Sequence, residues 1–244
     1  MGAIILVAGV CWLAWAAMAH ALMRASVRPG DPWVGLAMVM LRLHARVVQR
    51  LRVEGREHIP RGRRPGPLVV IANHTAGVDP LLVQAVCGFE ITWMMARDMQ
   101  APGLEWFWEF AGVISVNRVE EGDGVRRGSD AAAARAAIKL LKEGGVVGVF
   151  PEGRIAPAGR IVPFAPGVGL LVSRTGARVM QVVIDGTRRS ETMAGSLLPA
   201  RARLRVLPVR EYEGVSAGEI AKDLERRLVA ETGWRFETST MTEQ

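Results

Sequence analysis

The feature that most constrains this chain is an apolar run that ends abruptly in two polar residues. Residues 67–72 (PLVVIA) have the length and composition of a strand buried on both faces. Asn73 and His74 follow at once, and a second apolar run, Pro80–Cys87, predicts a helix with proline in its first turn. A strand, loop and helix in this order are typical of an α/β sheet, in which ligands bind at the carboxyl ends of the strands.

His74 therefore lies in a loop where a ligand would bind, and Asp79 follows it closely enough to fold back onto it. An imidazole held by a carboxylate can remove a proton from a hydroxyl near neutral pH, so His74 and Asp79 form a candidate general base and its orienting partner. Two ordinary roles stay open at this point. Asp79 can cap the helix that starts at Pro80, and a loop histidine can be a surface residue.

Beyond this loop, strand and helix patterns alternate. Further strands are predicted at residues 91–95, 113–116, 146–150, 179–184 and 202–207, and helices at residues 103–111, 129–143 and 216–232. This alternation predicts an α/β fold with a largely parallel sheet flanked by helices.

Polar side chains follow three of the predicted strands. After His74 and Asp79 these are Arg118, then Glu152 with Arg154. Neighbouring strand ends of a parallel sheet meet at one edge, and arginine there suits a phosphate through paired charged hydrogen bonds. The chain has no nucleophile elbow, Walker loop or dinucleotide fingerprint, which leaves a histidine base acting directly on a bound hydroxyl.

The first part of the chain predicts a membrane anchor. Residues 2–23 are almost wholly apolar and, as a helix, span about 33 Å, enough to cross the bilayer core. A cleaved signal peptide is the alternative, but no Lys or Arg precedes the run. Arg24 and Arg28 follow it, so we expect an uncleaved anchor over residues 1–28, with the rest of the chain on the cytoplasmic side of the inner membrane.

A second apolar stretch, Trp33–Leu43, is too short to span a bilayer and passes into basic residues. It predicts an amphipathic helix at the membrane interface, which with a polar linker makes up residues 29–66. Residues 67–244 are then the catalytic domain.

Composition and charge narrow the class of partner. The chain is 50% hydrophobic and carries a formal net charge of +7, which suits contact with an anionic membrane. No basic run interleaved with aromatic residues supports nucleic-acid binding. Cys11 and Cys87 lie in apolar segments, so the sequence predicts neither a disulfide framework nor a metal site.

Three short blocks resemble the glycerolipid acyltransferases, typified by lysophosphatidic acid acyltransferase. The blocks are Asn73-His74-x4-Asp79, Gly112-Val-Ile-x3-Arg118 and Phe150-Pro-Glu152-Gly153, in the family's order, and the resemblance covers about residues 50–210. In that family the histidine is the general base and the aspartate orients it. The resemblance therefore implies His74 and Asp79 as catalytic residues, and Asn73, Arg118, Glu152, Gly153 and Arg154 as substrate-binding residues.

The resemblance also implies a reaction. A fatty acyl group would move from acyl-CoA or acyl-carrier protein to the free hydroxyl of a lysophospholipid, with 1-acylglycerol-3-phosphate giving phosphatidic acid. A remodelling acyltransferase acting on another lysolipid or on glycerol 3-phosphate is one alternative, and a non-catalytic lipid-binding scaffold is another. The expected partners are the lysophospholipid, the acyl thioester and membrane lipid, with no metal or organic cofactor and no nucleic acid.

Two positions depart from the family's blocks. The third block usually continues Gly-Thr-Arg, whereas Arg154 here follows Gly153 directly. The fourth block commonly has a proline where this chain has Gln181. Both departures affect the expected identity of the acceptor's head group more than the expected type of reaction.

Overall fold

The computed structural model describes residues 1–100, 103–120, 126–128, 130–157, 159–190, 195 and 198–236, with backbone alone for residues 2–5, 118–120 and 126–128. The helices are α1 (Gly2–Ala25), α2 (Pro32–Val47), α3 (Asp79–Val86), α4 (Glu105–Ala111), α5 (Ala131–Lys142), α6 (Gly167–Thr175) and α7 (Ala217–Thr232). The strands are β1 (Arg52–Glu54), β2 (Leu68–Ala72), β3 (Thr92–Ala96), β4 (Ile114–Val116), β5 (Arg118–Glu120), β6 (Arg126–Gly128), β7 (Val146–Val149), β8 (Arg160–Ile161), β9 (Arg178–Asp185), β10 (Arg203–Val206) and β11 (Arg235–Phe236).

Seven of these strands form one twisted sheet in the order β1-β10-β9-β2-β7-β3-β4. The pairs from β9 to β4 are parallel, whereas β10 runs antiparallel to β9. The sheet is therefore mostly parallel, as the alternation of strands and helices predicts. Because β2 lies between β9 and β7, all five of its residues are buried, which explains its unbroken apolar run.

Helices cover both faces of the sheet and enclose two apolar cores. On one face, α3 packs with Leu82 and Val83 in a core that includes Leu68 and Val70. On the other face, residues of α5, α6 and α7 pack against alternate strand residues such as Val69. Successive residues of a strand point to opposite faces, so β2 contributes to both cores in turn.

The N-terminal helices form a hairpin beside the sheet. α1 contacts α2, and α2 in turn contacts α3. Within α1, residues 6–25 are long and apolar enough to cross a membrane, and this segment is almost entirely exposed. Asp31 is the N-cap of α2, and its carboxylate accepts hydrogen bonds from two backbone amides of the first turn. Pro32 occupies the first helical position.

Two arginines hold the end of α1 against the sheet domain. Arg63 donates hydrogen bonds to the carbonyls of Met23 (3.0 Å) and Ser26 (2.9 Å), which the helix end leaves unpaired. Arg28 forms an ion pair with Glu90, with Nε 2.7 Å from the carboxylate oxygen, and this contact raises the pKa of the guanidinium. The orientation of α1 is therefore coupled to the domain that carries His74.

The structure differs from the sequence predictions where pairing is long-range. The segment assigned to the interfacial helix and linker, residues 29–66, contains β1, which pairs with β10. The helix α6 and the hairpin β5–β6 were not predicted either. A three-residue strand such as β1 carries too few residues to show a periodicity, and its partner lies about 150 positions away in the chain.

The packing of α6 on α7 depends on Gly169. A Cβ built on this residue would lie 1.9 Å from the carbonyl oxygen of Ala217, so the two helix backbones approach as closely as glycine allows. By contrast, a Cβ on Gly218 in α7 meets nothing within 4 Å.

These two glycines make a matched stability test. Gly169→Ala should lower the free energy of unfolding by about 1–3 kcal/mol, because the helices must separate. Gly218→Ala should be neutral or raise it by up to about 1 kcal/mol, through helix propensity. Thermal unfolding of both variants in detergent measures the difference. Equal effects of the two substitutions would contradict the close approach of α6 and α7.

Candidate active site

His74 lies in the loop that follows β2, at the carboxyl edge of the sheet, as the strand pattern predicts. Its backbone is held on both sides by the loop that follows β7. The His74 amide donates to Oε1 of Glu152 at 2.9 Å, and its carbonyl accepts from the Ala156 amide at 2.9 Å. The loop after β7 therefore fixes the conformation of the loop after β2.

Asp79 is the first residue of α3, and its carboxylate is fully buried. Its Oδ2 accepts from Nδ1 of His74 (3.0 Å) and from the amides of Thr75 (2.6 Å) and Ala76 (2.8 Å). The Thr75 hydroxyl lies 3.2 Å from both carboxylate oxygens. Asp79 therefore folds back onto the histidine loop, while Val78 occupies the N-cap position of the helix.

The contact with Asp79 determines which nitrogen of His74 is basic. An ionised carboxylate only accepts hydrogen bonds, so the neutral imidazole carries its proton on Nδ1 and leaves the lone pair on Nε2. The ring stacks on Phe150, with centroids 4.1 Å apart, and Phe150 stacks in turn on Trp93 at 4.8 Å. Held by the carboxylate and by this aromatic stack, Nε2 can accept a proton from a bound hydroxyl.

Glu152 is buried beside the loop that carries His74. It is 6% exposed, and besides the His74 amide it accepts from the amide of Val162 at 2.8 Å. Burial raises the pKa of this carboxyl to about 7, with a smaller contribution from Asp79, while its two amide donors and Arg154 act in the opposite direction. Gly153, next in the chain, is exposed.

Asn73 is also buried, at 1% exposure. Its side-chain amide donates to the carbonyl of Ile184 at 2.8 Å and accepts from the Ile184 amide at 2.7 Å. These two bonds continue the pairing of β2 with β9 by one residue beyond the strand. The side chain of Asn73 thus attaches the histidine loop to β9.

The loop after β9 completes this enclosure, and no sequence motif indicates that it does so. The hydroxyls of Thr75 and Thr187 lie 2.6 Å apart, and the Gly77 amide donates to the carbonyl of Ser190 at 2.9 Å. Nothing in the spacing of these residues marks the contacts, because their partners lie more than 100 positions apart. Phe150 belongs to the third block, but its stacking on His74 depends on β2 and β7 being neighbours.

The two predicted arginines occupy different parts of the sheet edge. Arg154 is exposed on the loop that carries Glu152. Arg118 begins β5 shortly after β4, three strands from β2, and its side chain lies outside the described part of the chain. At about 4.8 Å per strand, β4 is roughly 14 Å from β2.

Gln181, the departure from the fourth block, points away from this edge. Its side-chain nitrogen donates to the carbonyl of Leu224 in α7 at 2.9 Å, within the core. Among the described residues, no group of three or more His, Cys, Asp or Glu side chains could hold a metal ion. Cys87 is buried, which raises the pKa of its thiol to about 12, and Cys11 is free and exposed on α1.

Comparison with known proteins connects this geometry to a family. The chain is 28% identical over 187 residues to 1-acyl-sn-glycerol-3-phosphate acyltransferase alpha of Mus musculus, covering 74% of this chain and 62% of that protein. It is 29% identical over 185 residues to 1-acyl-sn-glycerol-3-phosphate acyltransferase of Borreliella burgdorferi, covering 71% and 69%. The match therefore spans less than two thirds of the mouse relative.

The fold has a counterpart among solved structures. The crystal structure of the 1-acyl-sn-glycerophosphate (LPA) acyltransferase from Thermotoga maritima superposes with a TM-score of 0.63 at 21% identity, covering 96% of this chain and 98% of that one. At the level of sequence, residues 50–185, more than half of the chain, match the model of the Acyltransferase family. These residues include β2, the histidine loop and the loop after β7, and the protein accordingly belongs to the acyltransferase family.

Proposed function

We propose that this protein transfers a fatty acyl group from a thioester to the free hydroxyl of a lysophospholipid, with His74 as the general base. The observation that carries the proposal is the His74–Asp79 pair, in which Nδ1 is bound to a buried carboxylate and Nε2 keeps its lone pair. Membership of the acyltransferase family supports the reaction class.

In the proposed mechanism, Nε2 of His74 removes the hydroxyl proton of the acceptor as the oxygen attacks the thioester carbonyl. The carbonyl oxygen takes up negative charge, and the carbon–sulfur bond breaks when the tetrahedral intermediate collapses. The departing thiolate takes the proton from the imidazolium, which Asp79 stabilises meanwhile. The products are an ester and a free thiol. Each proton and electron pair is accounted for by the two substrates and His74, so the mechanism requires no metal or organic cofactor.

The acceptor proposed first is 1-acylglycerol-3-phosphate, giving phosphatidic acid. The names of both curated relatives described above contain this compound, which supports the choice. A remodelling reaction on another lysolipid, or acylation of glycerol 3-phosphate, is the alternative, because Arg154 follows Gly153 without the intervening threonine. In either case Arg118 and Arg154 are proposed to bind the acceptor phosphate, from the side of the site that faces β7 and β4.

We also propose that the N-terminal helices attach the enzyme to the inner membrane, with the catalytic domain on the cytoplasmic side. Large apolar side chains are exposed along one face of α2 and on α1, among them Trp12, Trp15, Trp33, Met40 and Leu43. Such a surface is costly in water and stable in the interfacial region of a bilayer. A lipid acceptor would then reach His74 from the membrane.

Glu152 is proposed to position the base rather than to contact substrate. Both of its carboxylate oxygens accept backbone amides, one of them that of His74, and little of the side chain is exposed. A small shift of the histidine backbone moves Nε2 away from the acceptor hydroxyl, and general-base catalysis depends on that distance.

The base is tested with purified protein, lysophosphatidic acid and acyl-CoA. His74→Ala should lower kcat by about a hundredfold or more, and Asp79→Asn by about 10²–10⁴, because the imidazole then loses its proton acceptor or its orientation. His58→Ala, near the opposite edge of the sheet, is the matched control and should keep wild-type activity. If His74→Ala retains more than about a tenth of the activity while its Tm is unchanged, His74 is not the base.

The burial of Glu152 predicts a pH dependence of stability. The folded-state pKa of about 7 lies above the ordinary value of 4.5, so the folded protein holds this proton between those pH values and the unfolded chain does not. The stabilising contribution of Glu152 therefore falls as pH rises from 5 to 8. The Tm of wild type minus that of Glu152→Gln should decrease over this range. For Glu211→Gln, at an exposed site, the same difference in Tm should not change with pH. If the difference for Glu152→Gln is also independent of pH, the raised pKa is contradicted.

Membrane attachment is tested with vesicles. Deleting residues 1–21, which keeps Arg28, should lower the fraction of protein that sediments with vesicles without abolishing it, because α2 still offers an apolar face. Adding Trp33→Ser and Met40→Ser to the deletion should release the protein. Mass spectrometry of the full-length protein should find an intact N-terminus. A mature N-terminus near His20–Leu22 would instead establish a cleaved signal peptide.

A further inference from the structure

A pocket lined by arginines opens at the active-site edge of the sheet, on the side away from Arg154. The cavity has a volume of about 500 Å³, and apart from Ala202 its lining consists of Arg50, Arg52, Arg201 and Arg203. A cavity of this size accommodates a small molecule such as a nucleotide. Neither the family blocks nor the proposed mechanism uses these four residues.

Backbone pairing brings the arginines together from two distant parts of the chain. The Arg52 amide donates to the carbonyl of Ala202 at 2.9 Å, and the Ala202 amide donates to that of Gln49 at 2.9 Å. Arg52 and Arg203 are then register partners in the parallel pair of β1 with β10. Because β10 runs antiparallel to β9, the start of β10 and the end of β9 share the edge that carries His74.

The charge of the pocket is poorly balanced. Arg203 lies 3.8 Å from the carboxylate of Glu54, which Arg205 also approaches, at 3.4 Å. The carboxylate of Asp185, which faces Arg203 across the strands, accepts from the Gly186 amide at 2.7 Å. Among the described residues, two carboxylates thus accompany four pocket arginines. Arginine clusters of this kind bind phosphates through paired hydrogen bonds.

One of these arginines is held in a conformation that L-residues avoid. Arg50 has a φ of +46°, the only positive φ among the described residues other than glycine. Strain of this kind is concentrated at functional sites, where the position of the side chain matters more than local stability. Arg50 therefore lines the pocket from a strained turn.

A short chain of contacts joins the pocket to the base. A Cβ on Gly186, which has a φ of +71°, would lie 2.2 Å from the carbonyl oxygen of Arg201, so the end of β9 packs directly on the pocket wall. The next residue, Thr187, contacts Thr75 beside His74. Three strand spacings separate β1 from β2, roughly 14 Å, and Arg188 and Arg189 are exposed in the loop after β9.

We propose that this arginine pocket binds the nucleotide phosphates of an acyl-CoA donor, with the pantetheine arm extending past the loop after β9 to bring the thioester to His74. The inference rests on the proposed acyl transfer. The donor then approaches from the β1 side of the base and the acceptor phosphate from the Arg154 side, so the two anionic groups do not compete. An extended pantetheine arm is long enough to cross the distance between β1 and β2.

The experiment uses the full-length protein in detergent, with CoA as the binding probe and acyl-CoA with lysophosphatidic acid for kinetics. Arg52→Gln and Arg201→Gln should each weaken CoA binding and raise the KM for acyl-CoA by about tenfold or more, leaving kcat and the KM for the acceptor unchanged. Arg64→Gln, an exposed arginine in the linker before β2, is the matched control. Wild type should bind CoA more tightly than dephospho-CoA, and the two variants should lose this preference.

A substitution of Arg50 distinguishes phosphate binding from a purely structural role of this residue. Arg50→Gly removes the side chain and relieves the strained φ, so the Tm should not fall while the KM for acyl-CoA rises about tenfold. A lower Tm with an unchanged KM would contradict the proposal. Arginine variants that bind CoA as tightly as wild type would also contradict it. A defect seen only in binding to anionic vesicles would contradict it too, and would show that the pocket holds lipid head groups. If the variants lost activity only with acyl-carrier protein as the donor, and not with acyl-CoA, the proposal would likewise be wrong.

The results separate the pocket from the reaction. Arginine-dependent CoA binding by a protein that transfers no acyl group would leave the pocket in place and contradict the proposed function. Normal acyl transfer with wild-type KM values in the arginine variants would contradict the phosphate pocket and leave the proposed function in place. His74→Ala should bind CoA with wild-type affinity, since the base contributes nothing to the phosphate pocket.

Discussion

The site depends on one buried carboxylate. Asp79 has no exposed surface, and a charge in that position is stable only when every oxygen is hydrogen-bonded. Its donors are the imidazole of His74, the amides of Thr75 and Ala76 and the Thr75 hydroxyl, all within the loop between β2 and α3. Satisfying the carboxylate therefore folds the loop into one conformation. The same contacts fix the orientation of the His74 imidazole, so the stability of the loop and the geometry of the proposed base have a common cause.

The sheet topology explains why this loop is so well supported. β2 is a central strand, and the loops that follow both of its neighbours contact the histidine loop. The loop after β7 holds the backbone of His74 through Glu152 and Ala156, whereas the loop after β9 contacts Thr75 through Thr187. The two flanks also differ in the basic groups they offer, Arg154 on one side and the arginine pocket on the other. In the proposed reaction both substrates are anionic, and this arrangement keeps their phosphates apart, so that they repel each other less.

The N-terminal hairpin is part of the same assembly. Arg63 binds the last carbonyls of α1, and Arg28 joins the following turn to Glu90 and to the carbonyl of Phe110 at the end of α4. Charged hydrogen bonds to the carbonyls of a helix end are favourable because they complement its dipole. Through these contacts the apolar surface of α1 and α2 has a fixed orientation relative to the loop that carries His74. Under the proposed membrane attachment, a lipid acceptor would then meet His74 at a defined depth.

The sequence by itself determined the local features. Apolar runs and caps located β2, α5 and α7 to within a few residues, and the spacing of His74 and Asp79 was sufficient to pair them, because these signals act within one or two turns of chain. Tertiary structure alone decided the rest. The sequence predicts Glu152 as a substrate-binding residue, and only the fold places its buried carboxylate on the amide of His74. β1 joins the sheet from within residues 29–66, the segment predicted to precede the catalytic domain. The arginine pocket likewise assembles from segments about 150 residues apart. Such contacts depend on which strands become neighbours in the sheet, and the local pattern of residues does not determine this.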